Sequence, residues 1–117
     1  MSAIRMSRIN SAIQSAIIDI IKNNLIDPKL DGAIVSVTKV DTSNDLSHCN
    51  VYISIMTNKS AEEAFNAIRN SLPYIRKQTA SRVSLRIMPQ LHFILDDSIE
   101  YSAKIESLIE KIHRDDK

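Results

Sequence analysis

The stretch that decides the fold is SAEEAFNAIRNSLPYIRKQTASR, residues 60–82. It begins with a capping box, in which Ser60 is expected to accept a hydrogen bond from a backbone N–H while Glu63 reaches back. A mostly apolar stripe then keeps helical spacing: Ala61, Ala64, Phe65, Ile68, Leu72, Ile75 and Thr79. Pro73 interrupts the stripe, and a proline in a helix interior costs roughly 3 kcal/mol. We therefore predict two short helices, at about 60–71 and 73–82, which are joined by a kink and share one apolar face.

A longer amphipathic helix is predicted over residues 6–25. Its apolar stripe consists of Ile9, Ile13, Ala16, Ile17, Ile20 and Ile21. The N-terminus contains Arg5, Arg8 and several serines, and such a composition is also typical of an amphipathic targeting peptide. We favour a folded helix, because the apolar pattern continues to Leu25 and stops at the Asp27-Pro28 pair, which breaks helices.

Two strands are predicted between these helices. Residues 34–41 are rich in β-branched side chains, and their alternation slips between Val37 and Val40, which predicts a bulge near Thr38. A turn cluster follows, and the second strand then shows one buried face: Val51, Ile53 and Ile55.

A third strand and a final helix are predicted after the helix pair. The strand residues share one parity: Leu85, Ile87, Leu91, Phe93 and Leu95. Pro89 lies among them, and a proline inside a strand argues for the edge of a sheet. The final helix begins at Asp97 or Ser98 and has the stripe Tyr101, Ile105, Leu108 and Ile112.

The predicted order is α-β-β-α-kink-α-β-α, in a single domain over residues 1–117 with an ordered core at about 5–112. A hairpin joins the first two strands. A two-helix crossover returns the third strand parallel to the second. The fold class is therefore α+β, with helices on one face of a three-stranded sheet.

The charge of this chain is strongly segregated, although its formal net charge is only +1. Residues 64–95, here called the basic segment, contain no carboxylate and five cations: Arg69, Arg76, Lys77, Arg82 and Arg86. Such a segment suits a polyanionic partner such as nucleic acid, provided that folding gathers the cations onto one surface. The other interpretation is a solvated helix face whose balancing acids lie elsewhere in the chain.

Several classes of protein are excluded by composition. The single glycine, Gly32, cannot supply the glycine-rich loops that cradle phosphates or dinucleotides. The single cysteine, Cys49, excludes an internal disulfide and fits a reducing cytosol. Zinc sites need about four ligands at defined spacing, and the three histidines and one cysteine are scattered. We expect no cofactor, no metal and no membrane span.

Few residues suggest catalysis. Asp96 and Asp97 are adjacent at the end of a strand and point in opposite directions, so turn and capping roles are expected for them. His92 alternates with Leu91 and Phe93 and is expected to face outward. His48 lies beside Cys49, a pair that suggests a metal or nucleophile site, but Cys49 is expected to be a small interior residue.

The β-α-α-β core with an abrupt break between its helices resembles a type II KH domain. KH domains that grip single strands use a GxxG loop there, and this chain has none. The ribosome-binding factor A family is similar in having an Ala-x-Gly kink instead. Three parts of the chain carry this resemblance: residues 5–17, residues 40–54 (VDTSNDL followed by VYIS), and residues 85–98 (LRIMPQLHF followed by DDS).

This chain departs from the family pattern at the kink. The tripeptide aligns with Ser71, Leu72 and Pro73, so proline stands where the family usually has glycine, and serine replaces alanine. Gln90 also stands where glutamate is usual. Proline bends a helix, but it offers no bare backbone for the close approach of a phosphate.

The resemblance implies a cytoplasmic, non-enzymatic factor that binds the immature small (30S) ribosomal subunit through 16S rRNA, and we expect the protein to be monomeric. It implies a part in late processing of the rRNA 5′ end and in ribosome assembly in the cold. The five cations of the basic segment would then neutralise RNA phosphates, with Arg5 and Arg8 as accessory contacts. The alternatives are a general KH-like module for RNA or protein interaction, and a small α+β enzyme.

Overall fold

The helices and strands follow one another in the predicted order. The computed structural model describes residues 3–96. Its elements are α1 (Ala3–Asn23), a 3₁₀ turn (Pro28–Leu30), β1 (Ile34–Thr42), β2 (His48–Met56), α2 (Ala61–Asn70), α3 (Leu72–Arg82) and β3 (Gln90–Leu95). The predicted final helix lies outside the described residues.

The three strands form one mixed sheet with β2 in the centre. β1 pairs with β2 antiparallel, and β3 pairs with β2 parallel. The parallel pairing and the edge position of β3 are confirmed. The bulge is confirmed as well, because the β1–β2 register shifts between Val37 and Lys39 and leaves Thr38 as the extra residue.

The hydrophobic core lies between the helices and one face of this sheet. α1 contributes Ile13, Ile17 and Ile20, whose side chains are fully buried. Burial of an isoleucine side chain is worth about 1.5–3 kcal/mol, so this stripe anchors α1 on β1 and α3. Inward-facing side chains of the strands complete the core: Val37, Val40, Cys49, Val51, Ile53, Ile55 and Leu91.

The prediction for the third strand is wrong at its beginning. Leu85 and Ile87 share the parity of the strand, but β3 begins only at Gln90, directly after the buried Pro89. Pro89 has no N–H to donate to a neighbouring strand. The first ladder bond is therefore made by the Gln90 N–H, which donates to the Ser47 carbonyl at 3.0 Å. Residues 83–89 form a loop instead.

Candidate nucleic-acid interface

The cations of the basic segment lie on three successive elements. Arg69 is in the last turn of α2, three cations are on α3, and Arg86 is in the loop before β3. A helix rotates by about 100° per residue, so Arg76, Lys77 and Arg82 point in three different directions from α3. The structure therefore divides the basic segment and does not gather all five cations onto one surface.

Arg76 faces the loop that precedes β3 and is half-buried. Its Nε donates to the carbonyl oxygen of Pro89 at 3.3 Å, and its Nη2 donates to the carbonyl oxygen of Met88 at 2.8 Å. Arginine presents its donors as a planar fork, which here spans two consecutive carbonyl groups. Arg76 therefore ties α3 to the loop through the backbone of the protein itself.

Arg82 faces α1. Its guanidinium forms an ion pair with the carboxylate of Asp19, and its Nη2 donates to Asn24 Oδ1 at 3.3 Å. For Arg82, the balancing acid therefore lies elsewhere in the chain, on α1. Asp19 lies 63 positions earlier in the sequence, so a count of charges along the chain does not reveal the pair.

The remaining three cations of the basic segment, Arg69, Lys77 and Arg86, are exposed. Among residues 3–96, the side chains of Lys77 and Arg86 form no hydrogen bond or ion pair. The guanidinium of Arg69 lies 6.0 Å from the ring centroid of Phe65, at the outer limit of a cation–π contact. These three side chains are the part of the basic segment most open to an anionic partner.

Arg5 and Arg8 lie within the first two turns of α1, at exposed positions. They belong to a different element from the basic segment. Both precede Ile13, the first buried residue of α1.

The kink between α2 and α3 is built by Ser71. Its backbone has φ −91° and ψ 7°, and its hydroxyl donates to the Ala67 carbonyl at 3.1 Å. Pro73 is the second residue of α3, where a backbone N–H has no acceptor within the helix. Leu72 packs against the core from the first position of α3. Because Pro73 has no N–H, it adds no backbone donor at this kink.

His48 and His92 form a pair on the face of the sheet opposite the helices. His48 Nδ1 lies 2.9 Å from His92 Nε2, and both side chains are exposed. The outward position expected for His92 is confirmed. Sequence reasoning missed the pair, because the two residues meet only through the β2–β3 register, which places His48 opposite Gln90 and His92 opposite Asn50.

The other polar candidates have structural roles. Asp96 accepts a hydrogen bond from the Thr38 hydroxyl at 2.7 Å, whereas Asp97 lies outside the described residues. Cys49 is fully buried, and this burial raises the pKa of its thiol. In the part of the chain that the structure describes, no group of three or more His, Cys, Asp or Glu side chains is placed to hold a metal ion.

The turn between β1 and β2 is held by Asp45. Its Oδ1 accepts hydrogen bonds from the hydroxyls of Ser43 and Ser47, both at 2.7 Å, and from the Ser47 N–H at 3.1 Å. These bonds, with that from the Ser47 hydroxyl foremost, lower the pKa of Asp45 to about 2. The same turn places Leu46 at φ 61°, a left-handed conformation that is rare for leucine.

No helix within residues 3–96 has the length and apolar character that a membrane crossing requires.

Comparison with known proteins connects this sequence and its fold to one family. The family model for ribosome-binding factor A matches residues 5–109. Ribosome-binding factor A of Caldicellulosiruptor bescii is 39% identical over 111 residues, which cover 93% of this chain and 84% of that protein. The crystal structure of ribosome-binding factor A from Thermus thermophilus is similar with a TM-score of 0.65 and 26% identity, over 77% of this chain and 94% of that one.

A second Thermus thermophilus structure is also similar. It is a homology model of ribosome-binding factor A, fitted into the cryo-EM map of a 30S–RbfA complex. The similarity has a TM-score of 0.58 and 25% identity, and covers 83% of this chain and 97% of that one. With a family match over most of the sequence, relatives above one third identity and the predicted helix–sheet order confirmed within residues 3–96, this chain belongs to the ribosome-binding factor A family.

Proposed function

We propose that this protein binds the immature small (30S) ribosomal subunit through 16S rRNA and assists late processing of the rRNA 5′ end. It catalyses no reaction itself, acts in the cytoplasm as a monomer and supports ribosome assembly in the cold. The observation that carries the proposal is the similarity to the Thermus factor fitted into a 30S complex. The exposed cations of this chain support it independently.

The chemistry of binding is the neutralisation of RNA phosphates. Lys77 and Arg86 are exposed and form no ion pair among residues 3–96, so little protein structure has to be broken before they contact phosphate. Arg69 can pair with phosphate through two N–H groups or stack on an exposed base. Arg5 and Arg8 add contacts from α1. Arg76 and Arg82 contribute chiefly by holding α3 in place.

The test is sedimentation of the purified protein with small subunits across a salt series, with mature and precursor particles side by side. We expect preferential binding to precursor particles and affinity that falls steeply as salt rises. The variant Lys77→Glu/Arg86→Glu should lose most of this affinity, with the midpoint of thermal unfolding nearly unchanged, because neither side chain holds the fold together.

The matched control is Lys29→Glu/Lys59→Glu, which changes the net charge by the same amount at two other exposed positions. This control should bind much more tightly than Lys77→Glu/Arg86→Glu. Equal losses in the two variants would show a general charge effect and contradict the site. A wild-type protein that binds no subunits, or one with a turnover that depends on Asp96 or His92, would contradict the function itself.

A further inference from the structure

The loop between α3 and β3 exposes two neighbouring side chains, although the residues on either side of them pack against the core. Leu85 and Met88 pack against the core, and Pro89 is fully buried. Between these anchors, Arg86 is exposed and Ile87 is 66% exposed. We call Arg86 and Ile87 the loop tip. The loop therefore holds a large aliphatic side chain in solvent directly beside a cation.

The frame of this loop is fixed by Arg76. Its guanidinium donates hydrogen bonds to the carbonyl groups of Met88 and Pro89. These are the two residues directly after the tip. A lysine carries the same charge, but its single ammonium group lacks the planar fork that matches two adjacent acceptors. The position of the tip therefore depends on the shape of the Arg76 side chain as well as on its charge.

The charge of the elements on either side of the tip favours a polyanion as its partner. The chain has no carboxylate from Ala64 to Leu95, so α3, the loop and β3 contribute no acidic side chain of their own. The exposed Lys77 of α3 adds positive charge on the element that carries Arg76. An aliphatic side chain next to a cation suits RNA in particular, because unpaired bases present apolar faces between phosphates.

We propose that the loop tip is a specific RNA contact, in which Arg86 pairs with a phosphate and Ile87 packs against the face of an unpaired base, and that Arg76 is the positioning residue for this contact. The inference rests on the proposed function. It adds to it a side chain, Ile87, that contacts an RNA base and not the RNA backbone. Apolar side chains that wedge against bases are a known mode of nucleic-acid binding.

The test compares single variants in binding to protein-free 16S rRNA and to small subunits. Ile87→Ser should weaken both interactions about fivefold or more through lost apolar burial, with the salt dependence unchanged. Arg86→Gln should instead reduce the salt slope by about one. The control is Ile26→Ser, because Ile26 is 98% exposed at another site, and this variant should bind like the wild type.

The role of Arg76 is tested with Arg76→Lys, which keeps the charge. We expect it to weaken binding about as much as Ile87→Ser, and we expect Ile87→Ser to add little when both changes are combined, since coupled residues are not additive. Trypsin should cleave after Arg86 faster in Arg76→Lys than in the wild type, because the frame of the loop is loosened. Wild-type binding by Arg76→Lys would overturn the positioning role.

The outcomes separate this inference from the proposed function. If the wild type binds neither RNA nor subunits, the proposed function and the inference fail together. If the wild type binds and Ile87→Ser binds as tightly as the wild type, the inference is overturned while the proposed function stands. If Ile87→Ser weakens binding to subunits but not to protein-free rRNA, Ile87 contacts a ribosomal protein. That result also overturns the inference.

Discussion

Arg82, the last residue of α3, forms an ion pair with Asp19 of α1 and so joins two helices through residues that are 63 positions apart. Asn24, just beyond the end of α1, accepts a second hydrogen bond from the same guanidinium at 3.3 Å. The pair lies near the protein surface, because the Arg82 and Asp19 side chains are 32% and 53% exposed. It orients α3 against α1 and compensates one charge of the basic segment.

The first prediction concerns the strength of this pair. Exposed ion pairs typically contribute less than about 1 kcal/mol. In a double-mutant cycle of Arg82→Gln and Asp19→Asn, we expect a coupling free energy below that value, which decreases as salt is added. Urea unfolding of the four proteins measures it. A coupling several times larger, or one that salt does not change, would show that the pair is effectively buried.

The second prediction concerns binding. Arg82 donates to Asp19 and Asn24, so pairing with phosphate would require it to share or leave these partners. Lys77 bears no such cost within the described residues. We therefore expect Arg82→Gln to weaken small-subunit binding less than Lys77→Gln does, although both changes remove one positive charge. Sedimentation at one salt concentration compares them, and equal losses would contradict the ranking.

Much of the fold could be predicted from the sequence because its signals are local. The stripe around Ile13 and Ile17 fixes the buried face of α1, and the slip in alternation around Thr38 reveals the bulge. The parallel position of β3 follows from the length of the crossover. In these cases the residues that carry the signal are near one another along the chain.

The errors concern contacts between distant parts of the chain. Leu85 and Ile87 have strand parity, but the anchored Pro89 and the fork of Arg76 hold their segment as a loop. The pairing of Arg82 with Asp19 likewise depends on how α1 packs against α3. Charges and strand parity along a sequence therefore predict which residues are able to form a contact. Tertiary packing decides which of them already contact another part of the protein.

The third prediction concerns the kink. The Ser71 hydroxyl donates to the Ala67 carbonyl where α2 ends. Ser71→Ala removes this donor and leaves the helix sequence otherwise unchanged. We expect a loss of about 1 kcal/mol in the free energy of unfolding, typical of one hydrogen bond. Urea unfolding measures the change.

The control for Ser71→Ala is Ser81→Ala on α3. The Ser81 hydroxyl also donates to a carbonyl of its own helix, that of Gln78, but its side chain is exposed and water can replace the bond. We expect little or no loss of stability in this control. Equal effects of the two variants would show that the Ser71 bond has no special role in ending α2.

The fourth prediction concerns acid stability. Hydrogen bonds from Ser47 and Ser43 lower the pKa of Asp45 from an ordinary value of 3.8 to about 2. A group whose pKa is lower in the folded state binds its proton less readily there, so it stabilises the fold above the unfolded pKa. This contribution decreases as pH falls from about 4 towards 2. Asp45→Asn keeps an acceptor oxygen but removes the charge.

Asp45→Asn should therefore be less stable than the wild type at neutral pH, and the difference should become smaller between pH 7 and pH 3, measured as the midpoint of thermal unfolding. Ser47→Ala should show the same trend, because it removes a hydroxyl donor to the same carboxylate. When Ser47→Ala is added to Asp45→Asn, the loss of stability relative to the wild type should depend on pH no more than it does in Asp45→Asn alone. A difference between Asp45→Asn and the wild type that stays constant down to pH 3 would mean that the turn is held by its backbone geometry and not by the Asp45 charge.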